Sequence, residues 1–270
     1  MKKIQILTTL IWVMSVMILQ AQNQEVTIPF SNPAAQKTLK INISTGKILI
    51  KGSDRQDVLV QYSVEEQKEK ETDKDDKFAG MKRISGSNLS FEMGEDNNLA
   101  YIESSNWFNP MNLEIEVPNS IDLKIQNNMG EEIKIEGIEG NINVESNMGS
   151  ITLNDISGIA NVSSNVGSIK VVFKKISDPK NMLFSTTMGD VDITLPANLG
   201  ADLKLITNWG EIYSDLDISI DPAKAQVQKI EDGDKIKVVK ESWTTGKLNG
   251  GGVGLTLKTK MGDIFLRQGK

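Results

Sequence analysis

The 270-residue chain has no cysteine and no histidine, only 7 prolines, and few aromatics, at 5% of residues. Without cysteine there is no disulfide framework, no thiol nucleophile and no lipid-bearing cysteine. Without histidine, the commonest general base and the usual zinc ligand are missing. No nucleophile motif, phosphate loop or zinc spacing compensates, so the chain is expected not to be an enzyme. Its formal charge of −6 comes without a basic cluster, which argues against nucleic acid or an anionic membrane as partner. Scarce proline and 22 glycines are also too few for a wholly disordered polypeptide.

A long hydrophobic run is absent as well. Lys2 and Lys3 precede a largely apolar stretch from Ile4 to Leu19, interrupted by Gln5, Thr8, Thr9 and Ser15, and Leu19-Gln20-Ala21 supplies small-residue cleavage chemistry. The run is short for a spanning helix and reads as a secretory signal over residues 1–21. Its removal takes two lysines, so the charge becomes −6 − 2 = −8. The expectation is an exported protein (periplasmic, on the outer surface or secreted) with no transmembrane segment after cleavage and a single domain over 22–270.

What is present is a repeat. The segments Asn127-Asn-Met-Gly130, Ser146-Asn-Met-Gly149, Ser164-Asn-Val-Gly167, Thr186-Thr-Met-Gly189, Thr207-Asn-Trp-Gly210 and Thr259-Lys-Met-Gly262 are versions of one phrase, with a weaker copy at Ser44-Thr-Gly46. From Gly130 the glycine spacings are 19, 18, 22 and 21 residues, then 52. Five residues before each glycine stand Ile41, Ile125, Val144, Val162, Phe184, Leu205 and Leu257; seven before stand Leu39, Leu123, Ile142, Ala160, Met182, Leu203 and Leu255. Two after stand Ile48, Ile151, Ile169, Val191, Ile212 and Ile264, with Ile133 displaced by one extra acid.

Apolar residues at period two mark half-buried strands. Each unit of about 20 residues therefore reads as strand, glycine turn, strand, looser turn, and cannot bury its apolar face alone. Stacking the units as coils buries it and places like residues over like. Asn128, Asn147, Asn165, Thr187 and Asn208 would then form a side-chain ladder. The fold class expected is all-β: a β-solenoid with two insertions, at about 65–118 and 215–252. An antiparallel β-sandwich also has short alternating strands, but does not require one residue type at a fixed offset from six glycines.

The first insertion opens with the mixed charge run 65–77, read as a solvated loop or frayed helix. In the second, Gln226–Ile230 and Lys235–Val239 flank Asp232-Gly233, a hairpin signal. Both insertions are expected to cap the stack, whose bare ends would otherwise invite edge association.

Two groups of residues are candidate sites. Trp107 and Phe108, set in the polar stretch Asn106 to Pro110, read as a platform for sugar stacking or protein contact, or as a pair covering the first coil. Asp190, Glu211 and Asp263 follow their glycines at equivalent positions, so stacking would bring them into one column. Like charges so placed repel, which suits a hard cation such as Ca²⁺, a raised carboxyl pKa for acid–base work, or simply a solvated edge with fanned side chains. No other cofactor is indicated. Trp209 shares its slot with Met129, Met148, Met188 and Met261 and reads as part of a packing column. Tyr213 and Trp243 border the second insertion and are expected to pack it down.

The phrase N-x-G-x-I-x-L, repeating about every twenty residues behind a signal segment, resembles the bacterial putative-adhesin family of β-solenoid domains, related to the auto-transporter adhesin head domain. The likeness covers 121–213 and 253–268 well and 37–64 moderately. It implies a right-handed single-stranded β-helix-like fold, an envelope or extracellular location, and a non-catalytic, adhesin-like binding scaffold for a glycan, protein or envelope component. It supplies no catalytic residues. Two other roles fit the residues: an envelope-stress or assembly protein with membrane regulatory partners, and a polysaccharide-active β-helix enzyme. Because the repeating turns look architectural, recognition is expected in the irregular insertions.

Overall fold

The computed structural model describes residues 24–64, 91–176, 180–221, 225–232 and 235–269; the signal segment and the charge run 65–77 lie outside them. Every regular element among the described residues is a β-strand, and the strands form two large mixed sheets and one separate hairpin. The fold is all-β.

Each repeat contributes one strand to each large sheet. Period-two alternation sends Leu123, Ile125 and their equivalents inward from the second, eleven-stranded sheet, and Ile133, Ile135 and their equivalents inward from the first, ten-stranded sheet. Units then pair in parallel and in register: Leu123 with Ile142, Ile142 with Ala160, Val162 with Phe184. On the opposite sheet Ile133 pairs with Ile151, Ile151 with Ile169 and Ile169 with Val191. These columns meet between the sheets in one continuous core. Phe184 is its largest fully buried side chain, and it meets Phe173 edge to face across the core, centroids 6.2 Å apart. Each large inward residue contributes roughly 1.5–3 kcal/mol.

The order of units in space departs from their order in the chain. Leu99–Ser104 and Met111–Pro118, which sequence reading assigned to an insertion, form a complete outermost unit, stacked on 38–53. The unit 38–53 is thereby enclosed between 99–118 and 122–136. At the other end 253–268 inserts between 182–195 and 201–214. Strands Val58–Val64 and Gln24–Ile28 extend the first sheet beyond the outermost unit, and Phe91–Asp96 extends the second. Within 215–252, Thr244–Leu248 and Ile218–Ile220 extend the second sheet at the far end. The expected hairpin forms from Ala225–Asp232 and Lys235–Ser242.

The glycine turn holds the units together. At Gly167 and Gly189 the backbone lies at φ 142° and 137°, and a Cβ would fall on the carbonyl oxygen of the glycine in the adjacent unit, Gly149 and Gly167 respectively. Glycine is needed twice over, for the dihedral and for the close approach. Three residues before the glycine, a buried polar side chain ties adjacent units: Thr186 Oγ1 donates to Gly167 O (3.0 Å), Thr259 Oγ1 to Gly189 O (2.8 Å), Thr207 Oγ1 to Gly262 O (2.8 Å) and Asn127 Nδ2 to Gly46 O (3.0 Å).

At the near end a carboxylate closes the core. Glu95 accepts hydrogen bonds from the Ser31 hydroxyl (2.6 and 2.7 Å) and from the amides of Ser31 (3.2 Å) and Asn98 (2.6 Å). Asn98 in turn accepts from Asn32 N and donates to Asn32 O, each at 2.8 Å. The loop so anchored carries Phe30 into the core.

Two outcomes follow from these contacts. Gly167→Ala should lower the unfolding free energy by about 2–4 kcal/mol in denaturant titration, from the dihedral plus the overlap. Gly250→Ala, where a Cβ meets open space, should cost only about 1–2 kcal/mol. The Ser31 hydroxyl bond, helped by the Asn98 amide, holds Glu95 below its ordinary value of 4.5. A depressed folded value means that its contribution is complete above the unfolded carboxylate range and lost as pH falls through the folded value. The protection factors of the Ser31 and Asn98 amides, taken relative to intrinsic exchange at each pH, should therefore fall on acidification in the native protein, and should not show that fall in Glu95→Gln.

A candidate recognition ridge on the glycine corner

The residue immediately before the glycine stands outside the molecule in six units; in the seventh Thr45 is half-buried and its hydroxyl donates to Met129 O (2.9 Å). Strict alternation would turn the pre-glycine residue inward, since the positions three, five and seven before the glycine all face the core. The chain instead bends between the two sheets at this point, and the residue is expelled onto the corner. Met129, Met148, Val166, Met188 and Met261 are 41–51% exposed and Trp209 is 79% exposed. The column was expected as packing; the structure places it on the surface, because the close-packed backbones at the corner leave no room beneath it.

The corner is itself part of the ladder. Thr45 pairs with Met129, Met148 with Val166, Val166 with Met188 and Met188 with Met261. Backbone bonds continue through it, from Gly167 N to Met188 O (2.8 Å) and from Gly189 N to Met261 O (2.9 Å). Adjacent crest residues are therefore held one strand spacing apart, about 4.8 Å. Trp209, in the unit paired with 253–268, ends the crest at the far side.

Trp107 and Phe108 stand at its other end. Their loop joins Leu99–Ser104 to Met111–Pro118 at the place where Thr45-Gly46-Lys47 joins the neighbouring strands. Asn106 Oδ1 accepts from the amides of Phe108 (3.0 Å) and Asn109 (3.1 Å), a side-chain-closed turn. This turn projects Trp107 and Phe108 outward, 53% and 76% exposed, rather than laying them over the end of the core. Eight units give seven steps, so the crest from Trp107 to Trp209 runs roughly 34 Å.

Polar ladders flank it. On one side Asn147 Nδ2 donates to Asn128 Oδ1 (3.0 Å) and Asn165 Nδ2 to Asn147 Oδ1 (2.7 Å), leaving further amide N–H groups directed to solvent. On the other side stand the residues after the glycines. Asp190, Asp263 and Glu211 do share a column, in that spatial order. Their arrangement serves the turn: Asp190 Oδ1 accepts from Asp263 N (2.8 Å), Asp263 Oδ1 from Glu211 N (2.8 Å), and the Ser168 hydroxyl from Asp190 N (3.1 Å). Among the described residues no group of three His, Cys, Asp or Glu is placed to hold a metal ion.

The remaining aromatics take structural positions. Tyr213 stacks on Phe265, centroids 5.4 Å apart and 14° from parallel, so it rests on the first sheet and not on the insertion. Trp243 receives Lys204 Nζ 3.8 Å from its ring centroid, a cation–π contact that ties the second insertion to the second sheet.

No family model matches the chain, and no curated protein matches it. Among solved structures it is similar to a putative cell adhesion protein from Clostridium sporogenes, with TM-score 0.51 and 12% identity over 92% of this chain and 100% of that one. A putative adhesin from Bacteroides fragilis aligns over 92% of this chain and 98% of its own, with 11% identity and TM-score 0.29. At such identity the Clostridium likeness is one of fold.

If the crest carries no packing load, Trp209→Ala and Met148→Ala should each change the unfolding free energy by no more than about 0.5 kcal/mol. Leu257→Ala, inside the same stack and fully buried, should cost about 2–5 kcal/mol. Denaturant titration of the three variants separates a surface column from a core column.

Proposed function

We propose that this chain is a non-catalytic, adhesin-like binding scaffold built as a flattened right-handed β-solenoid, and that the corner crest is its recognition surface. The observation that carries the reading is the crest itself. Large apolar side chains are exposed in every unit but 38–53, which supplies Thr45, and the line has tryptophan at both extremes. Monomeric proteins seldom expose contiguous apolar patches beyond a few hundred Å² unless the patch contacts something. Tryptophan and methionine are the side chains such contacts favour. The ladder also pre-orders the surface, which lowers the entropic cost of binding.

A long, narrow and largely uncharged crest flanked by amides suits an extended ligand: a glycan chain, a protein segment or another envelope component. The likeness of fold to a protein described as a putative cell adhesion protein supports the reading, as does the N-terminal segment with the composition of an export signal. Export to the envelope, the surface or the medium belongs to the same proposal. No helix among the described residues is long and apolar enough to cross a membrane. The reading requires no cofactor. A Ca²⁺ ion at the acidic column would compete with the backbone amides that Asp190 and Asp263 already hold.

Screening the signal-free protein against a glycan array and against envelope fractions should yield a ligand that is retained unchanged after prolonged incubation. Trp107→Ala with Phe108→Ala, and separately Trp209→Ala, should each weaken retention at least tenfold, about 1.4 kcal/mol. A ligand whose affinity ignores all three changes would place recognition elsewhere, and a chemically altered ligand would make the protein an enzyme.

A further inference from the structure

The two sheets do not end together. At the far end the second sheet continues past the last unit by two strands, Thr244–Leu248 and Ile218–Ile220, while the first sheet stops at Ile212–Ser214. At the near end both sheets are extended, and Ile28 and Phe30 close the core. The mismatch leaves an open cleft of about 470 Å³ at the far end, with Leu205 at its base and Ile212, Leu216, Ile218 and Ile220 on its walls. Ile220 is 55% exposed there.

The backbone bordering this cleft is unpaired. Ile264 N donates to Glu211 O (2.9 Å) and Asp215 N to Leu266 O (3.2 Å), so residues 211, 213 and 215 address the neighbouring strand. Alternation then turns the N–H and C=O groups of Ile212 and Ser214 the other way, where no described residue meets them. On the strand that borders the cleft the charge is acidic: Glu211 lines the cleft, Asp215 follows two residues after Tyr213, and no lysine or arginine occurs between residues 205 and 223; Asp217 and Asp221 flank Ser219, which pairs with Lys247. Asp215 is partly engaged, accepting from Gln268 N (2.7 Å) and lying near Arg267, which itself pairs with Asp192. Glu211, Asp217 and Asp221 are exposed and form no ion pair with any described residue.

We propose that the far end is a strand acceptor for an extended segment of a partner protein in which apolar residues alternate with lysine or arginine. The segment adds beside Ile212–Ser214 as an eleventh strand of the first sheet, its main chain pairing with Ile212 and Ser214. Its apolar side chains enter the cleft against Ile212, Leu216 and Ile218, and its cations, on the outward face of the first sheet, meet Glu211 and Asp215. Charge selects this occupant over a second copy of the chain, because two such ends would bring like carboxylates together. The surface lies on the end of the stack and the crest along its side, so the proposal stands independently of the crest.

The test is a calorimetric titration of the full signal-free protein with a nine-residue peptide alternating valine or isoleucine with lysine. Expected are one-to-one binding, at least threefold weaker in Glu211→Gln, at least tenfold weaker for a peptide N-methylated on the pairing edge, and unchanged in Trp107→Ala. The substitutions are at exposed positions, and thermal melting confirms the fold. Equal binding of the N-methylated peptide, or of a peptide with glutamate in place of lysine, overturns the proposal. So does failure of the parent peptide to bind, or self-association of the protein that Ile220→Lys abolishes.

Discussion

The whole architecture depends on how closely two backbones approach at the glycine corner. The carbonyl oxygen of one glycine occupies the position that a Cβ on the next would need. Parallel units can therefore stack through the bend without losing their ladder, and like side chains fall over like. The same approach dictates what each neighbouring position does. The residue three before the glycine points inward, and in four units binds a glycine carbonyl of the adjacent unit. The residue one before has no interior left to enter, and the residue after supplies a side chain or an amide to the next turn. An exposed apolar crest thus arises as a by-product of backbone packing.

Because a unit interacts only with its neighbours in space, the chain need not visit the units in spatial order. Here it does not, at either end. The unit 38–53 is enclosed by 99–118, and the unit 253–268 by 201–214. Transposition gives each of these two units a paired neighbour on both sides. The edges pass instead to Gln24–Ile28 and Ile212–Ser214 in the first sheet and to Phe91–Asp96 and Ile218–Ile220 in the second.

Most of the core was legible in the sequence, since the offsets of seven, five and two residues from each glycine name inward columns that the structure reproduces. The order of units was not. All units carry nearly the same phrase, so their columns match about equally well in any permutation, and only the lengths of the connections distinguish neighbours. The unit 99–118 escaped notice because the loop Ser105–Pro110 replaces its glycine phrase. The crest was misread for a different reason: period-two reasoning carries an apolar residue inward right up to the glycine, whereas the bend begins one residue earlier. The acidic column was legible as a column. Its role in holding backbone amides depends on turn geometry that spacing does not encode.

That misreading shows where ligand selection can act on this fold. Within the phrase, the glycine is fixed by sterics, the residue three before it by burial, the residue two after it by the core, and Asn128, Asn147 and Asn165 by their mutual amide bonds. The residue before the glycine alone has no packing duty, and there the units diverge, from methionine to valine to tryptophan. A position free of structural constraint yet held at a fixed spacing can be altered unit by unit without loss of the stack. The irregular loop bearing Trp107 and Phe108 adds to the same line rather than forming a separate site. On the proposed reading, recognition and architecture are divided between adjacent residues of a single turn.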